Sequence, residues 1–131
     1  MNHFHLSLAA AASLSIAVAL PFAASAQERM GAEVSCTQIG KTMAYDCLLM
    51  LKGRNSGQPI QGAGIIVGAD MPTMPMAHNL KPVKAEPTGV PGEYRFRLEL
   101  EMHGEWALKI RLAKPRQDLI VHKMMFAKPS N

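Results

Sequence analysis

The chain has 131 residues and carries 14 Lys and Arg against 10 Asp and Glu, which gives a formal net charge of +4 at pH 7. A chain of this length fits one domain rather than several. Its cations are spread along the sequence, and only 5% of its residues are aromatic. Nucleic-acid binders cluster cations with interleaved aromatic residues, so we exclude nucleic acid as a partner.

The first part of the chain has the pattern of an export signal. Residues 6–24 contain only Leu, Ala, Ser, Ile, Val, Pro and Phe, and Ala24-Ser25-Ala26 then forms a small-x-small motif. An apolar run followed by such a motif is typical of a secretory signal peptide, although the residues before the run include no Lys or Arg. The alternative is a retained membrane anchor, since the run approaches the roughly 20 residues that span a bilayer.

Pro21 and the small-x-small motif favour removal of this segment. We therefore predict a signal peptide at residues 1–26 and one mature domain at residues 27–131. No second apolar run reaches spanning length. We expect the mature protein to be soluble, periplasmic or secreted, with no membrane as a partner once the signal is cleaved.

Cys36 and Cys47 are the two cysteines of the chain. In an oxidising compartment an even pair favours a disulfide over free thiols. If residues 40–43 form a tight turn between two strands, residues whose numbers sum to 83 face each other, and these cysteines are such a pair. The alternative, a thiolate metal site, lacks the second cysteine pair expected for zinc. We therefore predict a Cys36–Cys47 disulfide.

The mature part shows period-two alternation with frequent turn residues and no amphipathic helix. Between Glu93 and Met102 apolar residues alternate with Glu and Arg, and the alternation resumes at Trp106, so we interpret the two runs as a hairpin. Pro82 suits an edge strand. The predicted strands are Ala32–Ile39, Met43–Lys52, Gly62–Asp70, Leu80–Glu86, Glu93–Met102, Trp106–Ala113 and Asp118–Ala127. About seven short strands predict an all-β, immunoglobulin-like antiparallel β-sandwich, although a small barrel has the same pattern.

One segment, Asp70-Met71-Pro72-Thr73-Met74-Pro75-Met76-Ala77-His78, departs from the strand pattern. Its two prolines exclude a helix and a regular ladder. Thioether ligands select Cu(I), and imidazole suits copper in either oxidation state. A proline-stiffened loop also loses less conformational entropy when its side chains converge on an ion. The candidate copper ligands, with Cu(I) favoured, are Met71, Met74, Met76 and His78.

The same residues have a second interpretation. Methionine is a flexible apolar filler, so the loop could cap the sandwich or form an adaptable protein-binding surface, and the spacing alone does not decide between these roles. Met102 and His103 follow the clearest strand. If they lie at the same end as the loop, they supply a mixed thioether–imidazole site. Otherwise Met102 is the last buried residue of its strand and His103 an ordinary turn residue.

Motifs of catalysis are missing from the sequence. It contains no Gly-x-Ser-x-Gly, no His-Glu-x-x-His and no glycine-rich loop before a helix. The carboxylates of Glu93, Glu99 and Glu101 are interpreted as the solvated outer face of a strand. Paired cysteines provide no nucleophile. We therefore do not expect an enzyme.

Three short motifs in order resemble the YtkA-like and FixH-like exported domains over about residues 32 to 113. They are Met71-Pro72-x-Met74-x-Met76-x-His78, Gly92-x-Tyr94 and Met102-x-Gly104-x-Trp106. The resemblance implies an immunoglobulin-like β-sandwich that handles copper outside the cytoplasm, as copper carriers or factors for haem–copper oxidase assembly do. It implies ligand roles for the methionines and histidine of the first motif, with Met102 in second place. The anchor common in FixH-like proteins is absent if the signal is cleaved.

Two functions follow as hypotheses. The first is a periplasmic copper-binding protein, acting as a carrier, a tolerance protein or an accessory of oxidase assembly. The second is a metal-free module that docks an envelope partner, such as an efflux or oxidase-assembly complex, through its apolar methionines.

Overall fold

The computed structural model describes residues 27–78 and 80–128 of the chain. Within these ranges the chain forms seven β-strands and no helix. The strands are β1 (Met30–Gln38), β2 (Ala44–Gly53), β3 (Gly64–Asp70), β4 (Val83–Pro87), β5 (Glu93–Glu99), β6 (Gly104–Lys114) and β7 (Asp118–Phe126). Each corresponds to one predicted strand. The predicted signal peptide, residues 1–26, lies outside the described residues.

All neighbouring strands pair antiparallel, in the order β1-β2-β5-β4-β3-β6-β7. Strands β1, β2, β5 and β4 correspond to one sheet of a constant-type immunoglobulin sandwich, and β3, β6 and β7 to the other. β4 pairs with β5 and also with β3, so it connects the two sheets. The predicted all-β sandwich is confirmed.

Alternate residues of the strands fill the space between the sheets. β5 buries Tyr94, Phe96 and Leu98 and exposes Arg95 and Arg97, because successive side chains of a strand point to opposite faces. The largest fully buried side chains are Trp106, Tyr94, Leu49, Leu51, Ile65, Leu108, Ile110, Val67 and Cys47. Burial of one large apolar side chain contributes about 1.5–3 kcal/mol. This core holds the strands, and thereby the loops at both ends, in fixed relative positions.

The cysteine-bearing hairpin has the predicted register. β1 and β2 pair from Met30 opposite Gly53 to Gln38 opposite Tyr45, with Cys36 opposite Cys47, so residues whose numbers sum to 83 face each other. The two cysteines are joined in a disulfide, with their Cα atoms 4.0 Å apart. The predicted disulfide is confirmed.

The prediction that Leu80–Glu86 is an edge strand is wrong. β4 lies in the middle of the strand order, and the edges are β1 and β7. Pro82 precedes the first residue of β4, so its missing N–H leaves no gap in the ladder. The strand is also short, with three residue pairs to β3 and two to β5.

The prediction of a hairpin between β5 and β6 is also wrong. β5 pairs with β2 and β4, whereas β6 pairs with β3 and β7. The connection at residues 100–103 therefore crosses from one sheet to the other. Alternation shows only that each strand has one buried face, and two strands that face each other across a core satisfy it as well as a hairpin does.

The strand directions place three connections at one end of the sandwich. Odd-numbered strands run toward this end, and even-numbered strands leave it. We call it the methionine end, formed by residues 39–43, 71–78, 80–82 and 100–103. In the described part of the chain, no helix is long and apolar enough to cross a membrane.

Candidate functional site

The β3–β4 connection is a series of tight turns. The amide of Met74 donates to the carbonyl of Met71 at 3.0 Å, and the amide of Ala77 donates to the carbonyl of Met74 at 3.2 Å. The amide of Leu80 then donates to the carbonyl of Ala69 at 3.0 Å, which closes the connection onto the end of β3. The turns bring the three methionines and the histidine onto one short, compact loop.

Met71 lies under this loop and not on its surface. Its side chain is 4% exposed and belongs to the core. A Cβ atom on Gly104 would come within 2.9 Å of the Met71 Cε methyl, and the φ angle of Gly104 is +138°. The glycine at the start of β6 therefore leaves the space that the Met71 side chain uses, which links the β3–β4 and β5–β6 connections.

The other two methionines of the loop face solvent. Met74 is 36% exposed and Met76 is 90% exposed. Met76 has a φ angle of +73°, the one described residue other than glycine with positive φ. A left-handed backbone costs a residue with a Cβ atom about 1–2 kcal/mol. The loop thus presents an unburied thioether from a conformation that methionine does not favour.

His78 is fixed on two sides. Its Nδ1 lies 2.5 Å from Oε2 of Glu101, and its ring meets the Trp106 ring edge to face, with the ring centroids 6.4 Å apart. About a quarter of the His78 side chain remains exposed. His78 of the loop therefore contacts Glu101 of the β5–β6 connection and Trp106 of β6.

Met102 and His103 lie at the same end as the loop. Met102 is 36% exposed and follows the end of β5, so it is not the last buried residue of that strand. Its carbonyl accepts a hydrogen bond of 3.1 Å from Nε1 of Trp106. Nδ1 of His103 is buried and has no hydrogen-bond partner among the described residues. A buried nitrogen of this kind is costly unless it gains a partner.

The candidate ligands thus divide into two groups. Met74, Met76, Met102 and His78 are at least partly exposed at the methionine end, whereas Met71 is buried beneath them. Within residues 27–78 and 80–128, no group of three or more His, Cys, Asp and Glu side chains is placed to hold a metal ion. The possible donors at this end are of another kind, thioether sulfurs and imidazole nitrogens. Thioethers select Cu(I), and imidazole suits copper in either oxidation state.

Three residues of the site were missed or given another role by the sequence patterns. Glu101 was assigned to the solvated face of a strand, yet it lies beyond β5 and bonds to His78. Trp106 and Gly104 carry no ligand chemistry. The strand pattern predicts only that Trp106 begins a strand, and the Met102-x-Gly104-x-Trp106 motif is the one signal that relates both residues to the site. A carboxylate next to a predicted Met-His cluster is the signal that could have found Glu101.

The Gly92-x-Tyr94 motif lies at the opposite end and is structural. The hydroxyl of Tyr94 donates to the carbonyl of Ile60 at 2.8 Å and accepts from the amide of Ala63 at 3.0 Å. A Cβ atom on Gly92 would come within 2.7 Å of Pro59, and its φ angle is +76°. This motif therefore secures the β2–β3 connection and contributes no ligand to the methionine end.

Comparison with known proteins gave one family match. Residues 25–111, about two thirds of the chain, match the sequence profile of the family described as YtkA-like. The matched range ends within β6 and includes both connections that form the candidate site. Searches of curated proteins and of solved structures gave no match.

Proposed function

This chain belongs to the YtkA-like family, and we propose that it binds copper outside the cytoplasm, as a carrier, a tolerance protein or an accessory of oxidase assembly. The proposed ion is Cu(I), and no catalytic step is required. Export is part of the proposal, because it rests on the sequence of residues 1–26.

Met76 carries this proposal. The Met76 side chain is 90% exposed, so burial of its apolar surface contributes almost nothing to the stability of the fold. Its left-handed backbone adds a further cost that Gly or Asn would reduce. A cost of this kind at a loop tip is typical of a functional residue. Methionine has a thioether, which Gly and Asn lack, and a thioether is a soft ligand for Cu(I).

The neighbouring residues supply the remaining donors. Met74 and Met102 are each about a third exposed, so both side chains reach the surface of the methionine end. The partly exposed His78 adds an imidazole, which binds Cu(I) and also Cu(II). Met71 has a different position, since it would reach an ion only from below the loop. We therefore propose Met74, Met76 and His78 as the first ligands and Met102 as the next. Met71 and His103 are the last candidates, because the Met71 side chain and Nδ1 of His103 are buried.

A competition titration tests the proposal. The apo protein is titrated with Cu(I) in the presence of a chromophoric Cu(I) chelator, and the fraction of metal transferred gives the affinity. The triple variant Met74→Leu, Met76→Leu and Met102→Leu keeps the apolar volume and removes three sulfurs. We expect it to lose Cu(I) binding.

Met50→Leu is the matched control. Met50 lies in β2, opposite Glu33 of β1 and Glu93 of β5 and away from the methionine end. The same chemical change at this position should leave the Cu(I) affinity unaltered. If the triple variant binds Cu(I) as tightly as Met50→Leu does, the copper proposal is wrong.

A metal-free docking function is the second candidate. The observation in its favour is that three large apolar side chains, Met74, Met76 and Met102, are exposed together at one end. Flexible methionine surfaces suit adaptable protein binding. The partner would be an envelope protein of an efflux or oxidase-assembly complex.

The triple Met→Leu variant separates the two functions, because leucine keeps the apolar surface and removes the sulfur. Docking should tolerate these changes and should also tolerate His78→Ala. Copper binding should be lost in the triple variant and weakened in His78→Ala.

A further inference from the structure

The contact between His78 and Glu101 joins two connections that are 23 residues apart in sequence. Glu101 is more than half exposed, whereas three quarters of the His78 side chain is covered. Even as an ion pair, a surface contact of this exposure would add little to stability. Its more specific consequence is for the histidine, because the carboxylate fixes one of the two ring nitrogens.

An ionised carboxylate only accepts hydrogen bonds. The Nδ1 atom of His78 faces Oε2 of Glu101 at 2.5 Å, so Nδ1 must carry the proton in the neutral ring. The lone pair of the ring is then on Nε2. Metal ions bind the unprotonated nitrogen of a neutral imidazole, and its other nitrogen commonly donates to a carboxylate in this way.

Trp106 provides the second constraint. Its ring lies edge to face against the His78 ring, and its own Nε1 donates to the carbonyl of Met102. Trp106 is fully buried, so it is a rigid support. The imidazole of one connection and the backbone of Met102 in the other are therefore held by the same side chain.

We propose that Glu101 is a positioning residue, which holds His78 in the Nδ1–H tautomer and directs Nε2 to a soft metal ion. This inference rests on the proposed function for its ligand. His78 is then a prearranged donor, and the exposed side chains of Met74 and Met76 supply thioether ligands to the same ion. Prearrangement of a donor lowers the ordering cost of binding.

Nuclear magnetic resonance of the metal-free protein tests the positioning role without copper. Long-range ¹H–¹⁵N correlations distinguish a protonated from an unprotonated ring nitrogen. In the native protein we expect His78 to carry its proton on Nδ1. In Glu101→Ala we expect a shift toward the Nε2–H form that a free imidazole prefers in water. Glu99→Ala, on the exposed face of β5, should leave His78 unchanged.

A His78 ring that carries its proton on Nε2 in the native protein, or that does not respond to Glu101→Ala, overturns the positioning role. The Cu(I) titration then gives the second readout. Loss of the carboxylate that hydrogen-bonds to a metal-binding histidine typically weakens metal binding by about tenfold to a hundredfold. We therefore expect at least a tenfold loss of Cu(I) affinity in Glu101→Ala and none in Glu99→Ala. Equal affinities in the native protein and Glu101→Ala would also overturn it.

The two proposals fail in different ways. A native protein that binds no Cu(I) contradicts the proposed function, whatever the tautomer of His78. A native protein that binds Cu(I) but has the wrong tautomer contradicts only the role of Glu101.

Discussion

The Met71 Cε methyl lies 2.9 Å from the position that a Cβ atom on Gly104 would occupy. Both residues belong to family motifs, and they make contact although 33 positions separate them in the sequence. Gly104→Ala would force the buried Met71 side chain to move and would place alanine at a φ angle of +138°. Backbone strain costs about 1–3 kcal/mol, and moving the flexible end of the Met71 side chain adds less than a clash with backbone would. We expect Gly104→Ala to lower the free energy of unfolding by about 2 kcal/mol in a denaturant titration.

Gly89→Ala is the control for the backbone part of this effect. Gly89 has a φ angle of +98°, and nothing lies within 4 Å of its missing Cβ. Gly89→Ala should therefore lose stability through backbone strain alone, without a steric clash. In the double variant Gly104→Ala with Met71→Ala, the shorter side chain at position 71 leaves room for the new methyl group. This variant should therefore lose less stability than the sum of the losses in the two single variants. Additive costs would show that the two residues are not coupled.

Met76→Asn separates stability from metal binding at the loop tip. Asn tolerates the left-handed backbone better than Met does, and the Met76 side chain is 90% exposed. The free energy of unfolding should stay equal or rise by up to about 1 kcal/mol, while the Cu(I) affinity falls. Denaturant titration and chelator competition on the same preparation measure the two effects. A marked loss of stability would mean that the Met76 side chain has a structural role.

The strands were predictable from the sequence because each has one buried face, which period-two alternation reveals directly. Sheet membership was not, since the alternation in β5 and β6 is the same for a hairpin and for two strands facing each other across the core. The run Cys47 to Leu51 is apolar throughout and shows no alternation, so the sequence does not indicate which of its residues face the core. Leu49 and Leu51 are buried, while Leu48 and Met50 belong to the other face of β2.

The methionine end was predictable in part. The loop residues stand out because two prolines and three thioethers interrupt a strand pattern. The burial of Met71 could not be predicted, because it depends on Gly104, which lies on another strand. The Glu101–His78 contact was hidden for the same reason, since it forms only when β3 and β5 end at the same side of the sandwich.

Removal of the disulfide should destabilise the domain without changing its fold. Cys36 and Cys47 are 11 residues apart in sequence, and closing a loop of this length stabilises a domain by about 3 kcal/mol in the chain-entropy model. We expect a loss of this size in Cys36→Ala with Cys47→Ala. Emission of the single, buried Trp106 is a suitable probe of unfolding. A reductant should lower the denaturation midpoint of the native protein and leave the midpoint of the double variant unchanged.

Glu28 should make stability depend on pH. Hydrogen bonds from the Ser56 hydroxyl, and then from the Ser56 and Asn55 amides, lower the pKa of Glu28 below its ordinary value of 4.5. A carboxyl whose pKa is lower in the folded state stabilises the protein above its unfolded pKa, and the contribution is lost as the pH falls through the folded pKa. We expect Glu28→Gln to be less stable than the native protein at pH 7 and equal to it well below the folded pKa. If the two proteins still differ in stability well below the folded pKa, the loss in Glu28→Gln comes from packing and not from the charge of Glu28.

The two buried tyrosines of the core should respond in opposite ways to loss of their hydroxyl groups. Tyr94 bonds to both Ile60 and Ala63, whereas the hydroxyl of Tyr45 is buried without a partner among the described residues. Tyr94→Phe leaves two backbone groups unpaired and should cost about 1–3 kcal/mol. Tyr45→Phe removes an unpaired polar atom and should be neutral or stabilising. Both variants should bind Cu(I) like the native protein. Equal stability losses in the two would mean that the Tyr94 hydrogen bonds do not secure the β2–β3 connection.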